Sequence, residues 1–560
     1  MTGSQSRTRV ALAILLVVYV ALAVAYSLTN PLYEAPDELR HVRYVRHISQ
    51  YRSLPVQRGD GPRAQSHHPP LYYALGALLS SWVSVEEDVY YQPRENPFWA
   101  YRYWEVGSDN KNQYVHGPHT SLGFLPVPQL GGIELVVYIV RWMTVLMGGV
   151  VVWLTYSLGS RVFPDRPGLA LGGAALVALN PQFLYLSGAV NNDVPAAVWG
   201  AAALLVSVGV VQDGLKRRTS FILGLLVGLG LLTKIHLMVL VGPIELALAA
   251  AAWRQRDWRG FLEANGLILG SAALIAGWWF VRNQVLYGDP LGVSVHSELW
   301  NSRSPLEGLW AVRENTPYLW SSLWGRFGYG QVAMPRIVYR GALALSVIAL
   351  VGHVSPRERS LKPLTALILV TTVVVFLAWV VYYTLVQPAG ARGRFLFPAL
   401  PAFAVLMAAG LGRIVPVRDG WPISLVAASC LFALAIYGLG WILIPAFAPP
   451  EPLDDVEIES IPNQMAEGFL PASGESQPVA RLRGYQVQPK EFAPGDVVKV
   501  TLYWEPLVRT EREHVVFVHL LSETGVMIAQ RDTYPGLGRF STTAWEPGVV
   551  IAARPADSAG

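Results

Sequence analysis

"NPLYEAPDELRHVRYVRHISQYRSLP" (residues 30–55) follows directly on the apolar run "ALAILLVVYVALAVAYSL" (residues 11–28). The run is long enough to cross a bilayer as a helix, which takes ~20 apolar residues. Arg7 and Arg9 precede it and no small-residue cleavage site follows, so it reads as a retained signal anchor. The chain therefore leaves a membrane and at once presents an acidic pair, Asp37 and Glu38, ahead of a basic, half-apolar segment. Tyr44, Val45, Ile48 and Tyr51 recur at helical spacing, and Arg40, Arg43, Arg46 and His47 lie mostly on the other face. That pattern predicts a helix over 38–52 lying in the membrane interface, its basic face toward headgroup phosphates. Pro36 suits the first helical position, with Asp37 and Glu38 in the first turn.

Similar apolar runs recur along the chain. Of 560 residues, 52% are hydrophobic and 15% charged, against about 25% charged in soluble domains. Mean hydropathy is +0.35. The net charge of +4 gives no footing for nucleic acid, and the one cysteine, Cys430, excludes internal disulfides. Spans are expected at 9–28, 133–158, 168–187, 194–212, 219–234, 236–253, 262–281, 337–353, 363–386, 395–411 and 422–446. With the N-terminus inside, the inner segments 1–8, 159–167, 213–218, 254–261, 354–362 and 412–421 are all basic, whereas the short outer loop "SGAVNND" has no Lys or Arg. This alternation predicts an all-α polytopic protein of about eleven transmembrane helices in the plasma membrane, N-terminus cytoplasmic. Segments 29–132, 282–336 and 447–560 then lie outside.

The expected division is a transmembrane domain over 1–446, an acidic, Pro-rich linker over 447–478, and an extracytoplasmic β-sandwich-like module over 479–560, short of strands. Val498, Val500, Leu502 and Trp504 share one parity, and "REHVVFVHLLSETGVMIAQRD" reads as a hairpin turning at Glu523-Thr524-Gly525.

Two readings compete for the acidic pair. Carboxylates in a first helical turn complement the helix dipole, worth ~0.3–1 kcal/mol. A carboxylate at the membrane surface beside phosphate-seeking cations is also placed to deprotonate a hydroxyl attacking a lipid-linked electrophile. In "QSHHPPLYYALGALLSSWVS" (65–84), His67 and His68 open a second interfacial helix. No carboxylate or cysteine stands at ligand spacing from them, so hydrogen bonding to phosphate or sugar is expected rather than metal binding.

The Asp-Glu pair after the first span, then "HPPLYY", then "VNND" resembles the GT-C superfamily of membrane glycosyltransferases, whose members include protein O-mannosyltransferases and the bacterial aminoarabinose transferase of lipid A. "GLGLLTKIHLMVL", "GWWFVRNQVLYGDP", "SSLWGRFGYGQVAMP" and "GRFLFPALPAFAVL" agree in order, and the likeness runs over roughly residues 10–445. The resemblance implies transfer of a sugar from a polyprenyl-phosphate donor to a hydroxyl of a protein, lipid or glycan acceptor on the outer face, by one inverting displacement. Asp37 matches the family's catalytic base and Glu38 its neighbour. Some members need a divalent metal and others do not; the first loop has no Asp-x-Asp, which favours metal independence.

A leaving lipid phosphate needs cations, and Lys234, Arg282, Arg326, Arg392 and Arg394 stand at outer membrane edges. Snorkelling to the interface is the plain alternative for each. Arg394 and Arg282 sit in family-like motifs. Asp193 either caps the following span, helped by Asn191 and Asn192, or holds the base or the acceptor. Arg141 and Glu245 lie within expected spans, where charges are costly, and are expected to pair with each other. Trp99, Tyr101, Tyr103 and Trp104 either stack on sugar or pack down their loop. A lipid-linked-sugar flippase and a non-catalytic assembly protein are the rival classes. Midplane charges and echoing halves would mark a transporter; the halves here do not echo, and the acidic residues of interest lie at the surface.

Overall fold

The structure is a computed structural model describing all residues except 1–2, 58–63, 100–110, 117–120, 123–124, 127–130, 296–297, 299–301, 355–360, 389–391, 415–419, 451, 470–477, 494, 497 and 554–560. Tyr101, Tyr103 and Trp104 lie outside the described residues.

Apolar runs become helices wherever they are long enough to satisfy their own backbone in lipid. In chain order these are α1 (Gly3–Thr29), the loop helices α2 (Glu38–Tyr51) and α3 (Leu71–Ser80), α4 (Gly132–Val162), α5 (Pro167–Ala178), α6 (Pro181–Ser187), α7 (Asp193–Asp213), α8 (Arg217–Leu231) and α9 (Val241–Gln255). There follow α10 (Trp258–Tyr287), α11 (Pro305–Trp324), α12 (Arg336–Val354), α13 (Pro363–Val386), α14 (Leu400–Ile414) and α15 (Trp421–Tyr437). Among the described residues nine helical stretches are long and apolar enough to cross a membrane, or ten when α5 and α6, bent by 60°, count as one.

The eleventh expected span, 219–234, falls short. Its helix is α8, of 15 residues, or about 22 Å against a hydrocarbon core of about 30 Å. The chain leaves the helix at Leu232, where Thr233 and Lys234 still donate their backbone N–H groups to Gly230. It re-enters as a 3-10 segment, Ile235–Leu240, before α9. The span ending in α14 has the same construction, beginning as a 3-10 segment, Gly393–Ala399, with Pro398 inside. A scan for apolar residues counts these unwound turns as helix. Their effect is to seat Lys234 and Arg394 at the end of the bundle.

Packing fixes that seat. The 3-10 segment 393–399 lies against α7, α11 and α13. A Cβ on Gly393 would stand 2.4 Å from the backbone nitrogen of Leu323, and one on Gly200 would stand 2.8 Å from Pro398. Both approaches need glycine. The main core gathers Tyr19, Tyr26, Phe183, Tyr185, Trp324, Phe327 and Phe397 from α1, α6, α11, the short strand Arg326–Phe327 that follows it, and the 393–399 turn.

The C-terminal residues form one four-stranded antiparallel sheet of order β6-β3-β2-β1, where β1 is Gln464–Phe469, β2 Ala480–Gln488, β3 Lys499–Pro506 and β6 Ile551–Ala553. β4 (Val516–Leu521) and β5 (Met527–Thr533) make a separate hairpin turning through Ser522–Val526. Strands are present where expected, arranged among the described residues as one four-stranded sheet and one hairpin, and Val516 of the hairpin packs against the core that holds Trp504 and Ile551. β1 lies inside the stretch expected as linker and pairs with β2, so the sheet begins at 464.

The basic face of α2 also departs from expectation. Arg43 and Arg46 are buried, donating to the carbonyls of Tyr90 and Tyr91 and of Glu87 and Asp88, respectively. They hold down residues 87–92 rather than facing headgroups. Loop carbonyls that would otherwise be left without donors outcompete a solvated phosphate for these guanidinium groups.

Candidate active site

The turn 30–38 is built by the second acid of the pair. Glu38 has no exposed surface. Arg141, from α4, grips it with Nε on Oε1 at 2.8 Å and Nη2 on Oε2 at 2.6 Å. The same guanidinium donates to the carbonyls of Ser27, Asn30 and Pro31. The backbone N–H groups of Tyr33 and Val190 complete the carboxylate's set. All four hydrogen bonds to the Glu38 carboxylate thus come from within the protein, and they anchor the turn. The expected Arg141–Glu245 pair does not form, because the Arg141 guanidinium is taken up by Glu38 and the three carbonyls. Glu34 is also structural, accepting from the backbone N–H groups of Gln113 and Tyr114 and meeting His116 Nε2 at 2.8 Å.

Asp37 is different. It precedes α2 in a left-handed conformation, φ 65°, and its side chain caps no helical N–H. A non-glycine residue held there costs of order 1–3 kcal/mol and marks a turn that its surroundings over-determine. The rotation aims the carboxylate away from the helix: Arg394 Nη2 donates to Oδ2 at 2.7 Å, and Arg394 Nη1 to the carbonyl of Pro36 at 3.3 Å. The Asp37 N–H donates to Tyr329 Oη at 2.9 Å. Helix α2 therefore starts at Glu38, which alone of the pair stands in its first turn, with Asp37 at the N-cap.

Arg394 has a second anion. Its Nε lies 3.5 Å from Asp193 Oδ2, and Lys234 Nζ lies 2.5 Å from Asp193 Oδ1. The capping job expected of Asp193 falls to Asn191, whose Oδ1 accepts from the N–H groups of Asp193 and Val194. Asp37, Arg394, Asp193 and Lys234 therefore form one chain of alternating charge drawn from four separate loops. The side chains of Asp193, Lys234 and Arg394 are 2%, 9% and 8% exposed, and that of Asp37 is 23% exposed. Asp37 is the member a substrate can reach.

Burial would raise the Asp37 carboxyl, but Arg394, Arg392 and Arg40 outweigh it and hold the group well below the usual carboxylate range. Among the described residues no three His, Cys, Asp or Glu side chains gather as metal ligands. Asp37 and Asp193 each face a cation, Arg394 and Lys234 respectively.

The remaining expected residues divide. The His67 and His68 rings lie tilted to each other at 4.0 Å, and His68 stacks on His41 at 5.9 Å. His41 Nδ1 meets Tyr73 Oη at 2.7 Å. His41 is one helical turn from Asp37, which links the stacked histidine to the cluster's end of α2. Burial pushes His41 down to about 3, with Arg394 adding and Asp37 opposing, so its ring is neutral near pH 7. Arg282 is placed elsewhere, donating to the carbonyl of Pro55 and lying over Trp279. Arg326 donates to the carbonyl of Gly330 and lies over Tyr318. Arg326 opens a small hairpin, Arg326–Phe327 with Val332–Ala333, and Tyr329 in the turn of that hairpin is what reaches Asp37. Arg392 lies over the Tyr329 ring, and Trp99 packs edge-on to it at 5.7 Å. His41 and Tyr329 were missed from sequence: His41 is one residue in a basic helix, and Tyr329 one aromatic among 25 tyrosines.

A family model described as dolichyl-phosphate-mannose-protein mannosyltransferase matches residues 135–279. No curated protein matches the sequence at a significant level. Among solved structures, ArnT from Cupriavidus metallidurans bound to undecaprenyl phosphate is 14% identical with a TM-score of 0.44, over 75% of this chain and 63% of that one. The same protein in the apo state gives 14% and 0.42, over 77% and 64%. An Archaeoglobus fulgidus oligosaccharyltransferase in complex with zinc and sulfate gives 14% and 0.39, over 80% and 54%. The chain spans less than two thirds of the length of each of these. With the multi-pass helical architecture, the family match supports a GT-C superfamily membrane glycosyltransferase.

Proposed function

We propose that this protein moves a sugar from a polyprenyl-phosphate donor to an acceptor hydroxyl on the extracytoplasmic face, in one inverting displacement with Asp37 as base. The observation that carries the reading is a partly exposed, strained carboxylate ion-paired to a buried arginine that it shares with the Asp193–Lys234 pair.

The resting ion pair makes Asp37 a poor base, because Arg394 stabilises its charge. A donor phosphodiester changes that balance. Its anion competes for Arg394 and Lys234, and as Arg394 turns to phosphate, Asp37 loses its main stabilising cation and becomes more basic. The acceptor oxygen then bonds to the anomeric carbon while its proton passes to Asp37. The bond from that carbon to the phosphate oxygen breaks, and the electron pair stays on the lipid phosphate. The charge gained by the leaving phosphate falls on Lys234 and Arg394, in a site dry enough for preorganised cations to count. Asp193 keeps both cations in place, and Tyr329 holds the Asp37 backbone. The acceptor is a protein, lipid or glycan hydroxyl arriving past Asp37.

Asp37→Asn, assayed with a polyprenyl-phosphate sugar in lipid nanodiscs, tests the reading. Loss of a general base lowers turnover roughly 10²–10⁴-fold, with donor binding retained. Wild-type turnover in this variant refutes the mechanism, and lipid translocation without transfer supports a flippase in its place. Impermeant labelling of the 464–533 module on intact cells tests the face.

A further inference from the structure

His236 stands two residues beyond Lys234, in the 3-10 turn that opens the span ending in α9. It is 4% exposed, and among the described residues neither ring nitrogen has a hydrogen-bond partner. Its ring stacks on Trp379 at 4.7 Å and meets Phe376 edge-on at 5.8 Å. Trp379 continues the wall to Tyr383 at 5.4 Å and Phe395 at 5.8 Å. Lys234 Nζ lies 5.2 Å from the centre of the Phe395 ring. An aromatic wall thus runs directly up to the cation cluster, and one unsatisfied polar ring is set into it.

Burying a polar group without a partner is destabilising, and a phenylalanine at 236 would fill the same wall without that penalty. The imidazole calls for a ligand that can satisfy it. A polyprenyl tail has no polar atom to offer. A phosphate wants positive charge, which Lys234 and Arg394 supply, whereas an imidazole walled by aromatics and beside a lysine favours its neutral form. A neutral imidazole carries one donor and one acceptor, the complement of a sugar hydroxyl, and aromatic side chains around it suit the apolar face of a pyranose. Resting on the lipid-phosphate reading above, we propose that His236 recognises the sugar of the donor by hydrogen bonding to its hydroxyl groups, Trp379 and Phe395 walling the same subsite.

The test uses the full chain in nanodiscs with His236→Phe and His236→Gln. The probes are bare undecaprenyl phosphate and a panel of its mannosyl, glucosyl, galactosyl and aminoarabinosyl esters. Wild type should bind at least one ester roughly tenfold tighter than the bare lipid phosphate, the weight of one to two hydrogen bonds. His236→Phe should bind bare undecaprenyl phosphate as wild type does, lose that tenfold preference, and unfold, without ligand, at the same temperature as wild type or higher. His236→Gln, which keeps a donor and an acceptor, should recover part of the preference. The inference is overturned if wild type shows no preference for any ester, if His236→Phe keeps it, or if bare and glycosylated lipids weaken equally. It is also overturned if His236→Phe unfolds at a lower temperature, which marks a structural histidine. Failure of wild type to bind even bare undecaprenyl phosphate refutes the proposed function itself, and this inference with it.

Discussion

Replacing Arg394 by glutamine removes the guanidinium that joins Asp37 at 2.7 Å to Asp193 at 3.5 Å. Asp193 keeps Lys234 at 2.5 Å. Asp37, 23% exposed, gains water. Breaking a fully buried ion pair costs about 3–5 kcal/mol, and the surviving partners and the exposure of Asp37 put this variant below that range, at about 2–3 kcal/mol. It should fold. One charge-assisted hydrogen bond to donor phosphate, about 2 kcal/mol, corresponds to roughly a thirtyfold loss in kcat/KM. The pH profile separates a phosphate ligand from a mere prop. In wild type the Asp37 carboxyl sits well below the usual range, so the acid limb of kcat/KM lies below about pH 4, the ordinary aspartate value. Without Arg394 the group loses its largest stabilising cation, and the limb should move up. The linkage has the same sign. A depressed carboxyl adds stability above its unfolded pKa of about 3.9 and loses it as pH falls through the folded value. The wild type's stability advantage over Arg394→Gln should therefore shrink below about pH 4. The assay is donor-dependent transfer in nanodiscs between pH 4 and 8, with unfolding measured alongside. An unchanged acid limb, or kcat/KM within twofold of wild type, refutes the assignment.

Three further outcomes follow from the same geometry. Glu38→Gln leaves Arg141 buried without its counter-ion and should lower stability by about 3–5 kcal/mol, read as a lost unfolding transition; Asp37→Asn should leave that transition nearly in place, since Arg394 keeps Asp193. Tyr329→Phe removes the acceptor of the Asp37 N–H and should cost about 1–2 kcal/mol, seen as lower kcat with donor KM little changed. Arg94→Ala breaks a contact with Glu513 whose arginine is 51% exposed; stability should change by less than about 1 kcal/mol, measured by thermal unfolding.

The membrane architecture was legible because crossing a bilayer demands long apolar runs, and nearly every expected span has its helix. The unwound turns before Ile235 and Leu400 were not, because Thr233 and Phe395 read as span residues whether or not they are helical. Lys234, Asp193 and Arg394 could be suspected from charges at the ends of spans, where each needs a partner. Which cations converge could not be read. Arg282 and Arg394 both stand in family-like motifs, yet one meets a loop carbonyl and the other meets Asp37. Arg141 shows the same limit: its partner lies 103 residues away in a loop, and hydrophobic periodicity says which face of a helix is buried but not against what.

The adjacency of Asp37 and Glu38 explains how the site holds its strain. An aspartate in the left-handed region relaxes unless the residues on either side are fixed. Glu38, locked by Arg141 and by the N–H groups of Tyr33 and Val190, fixes the C-terminal side. The Pro36 carbonyl, met by Arg394, fixes the other. The fully buried acid is thus the foundation on which the reachable one is turned outward. Exchanging the two residues would keep the charge and the composition while placing the shorter side chain where the clamp needs the longer. The pair thus divides into one buried, clamped carboxylate and one turned outward onto Arg394.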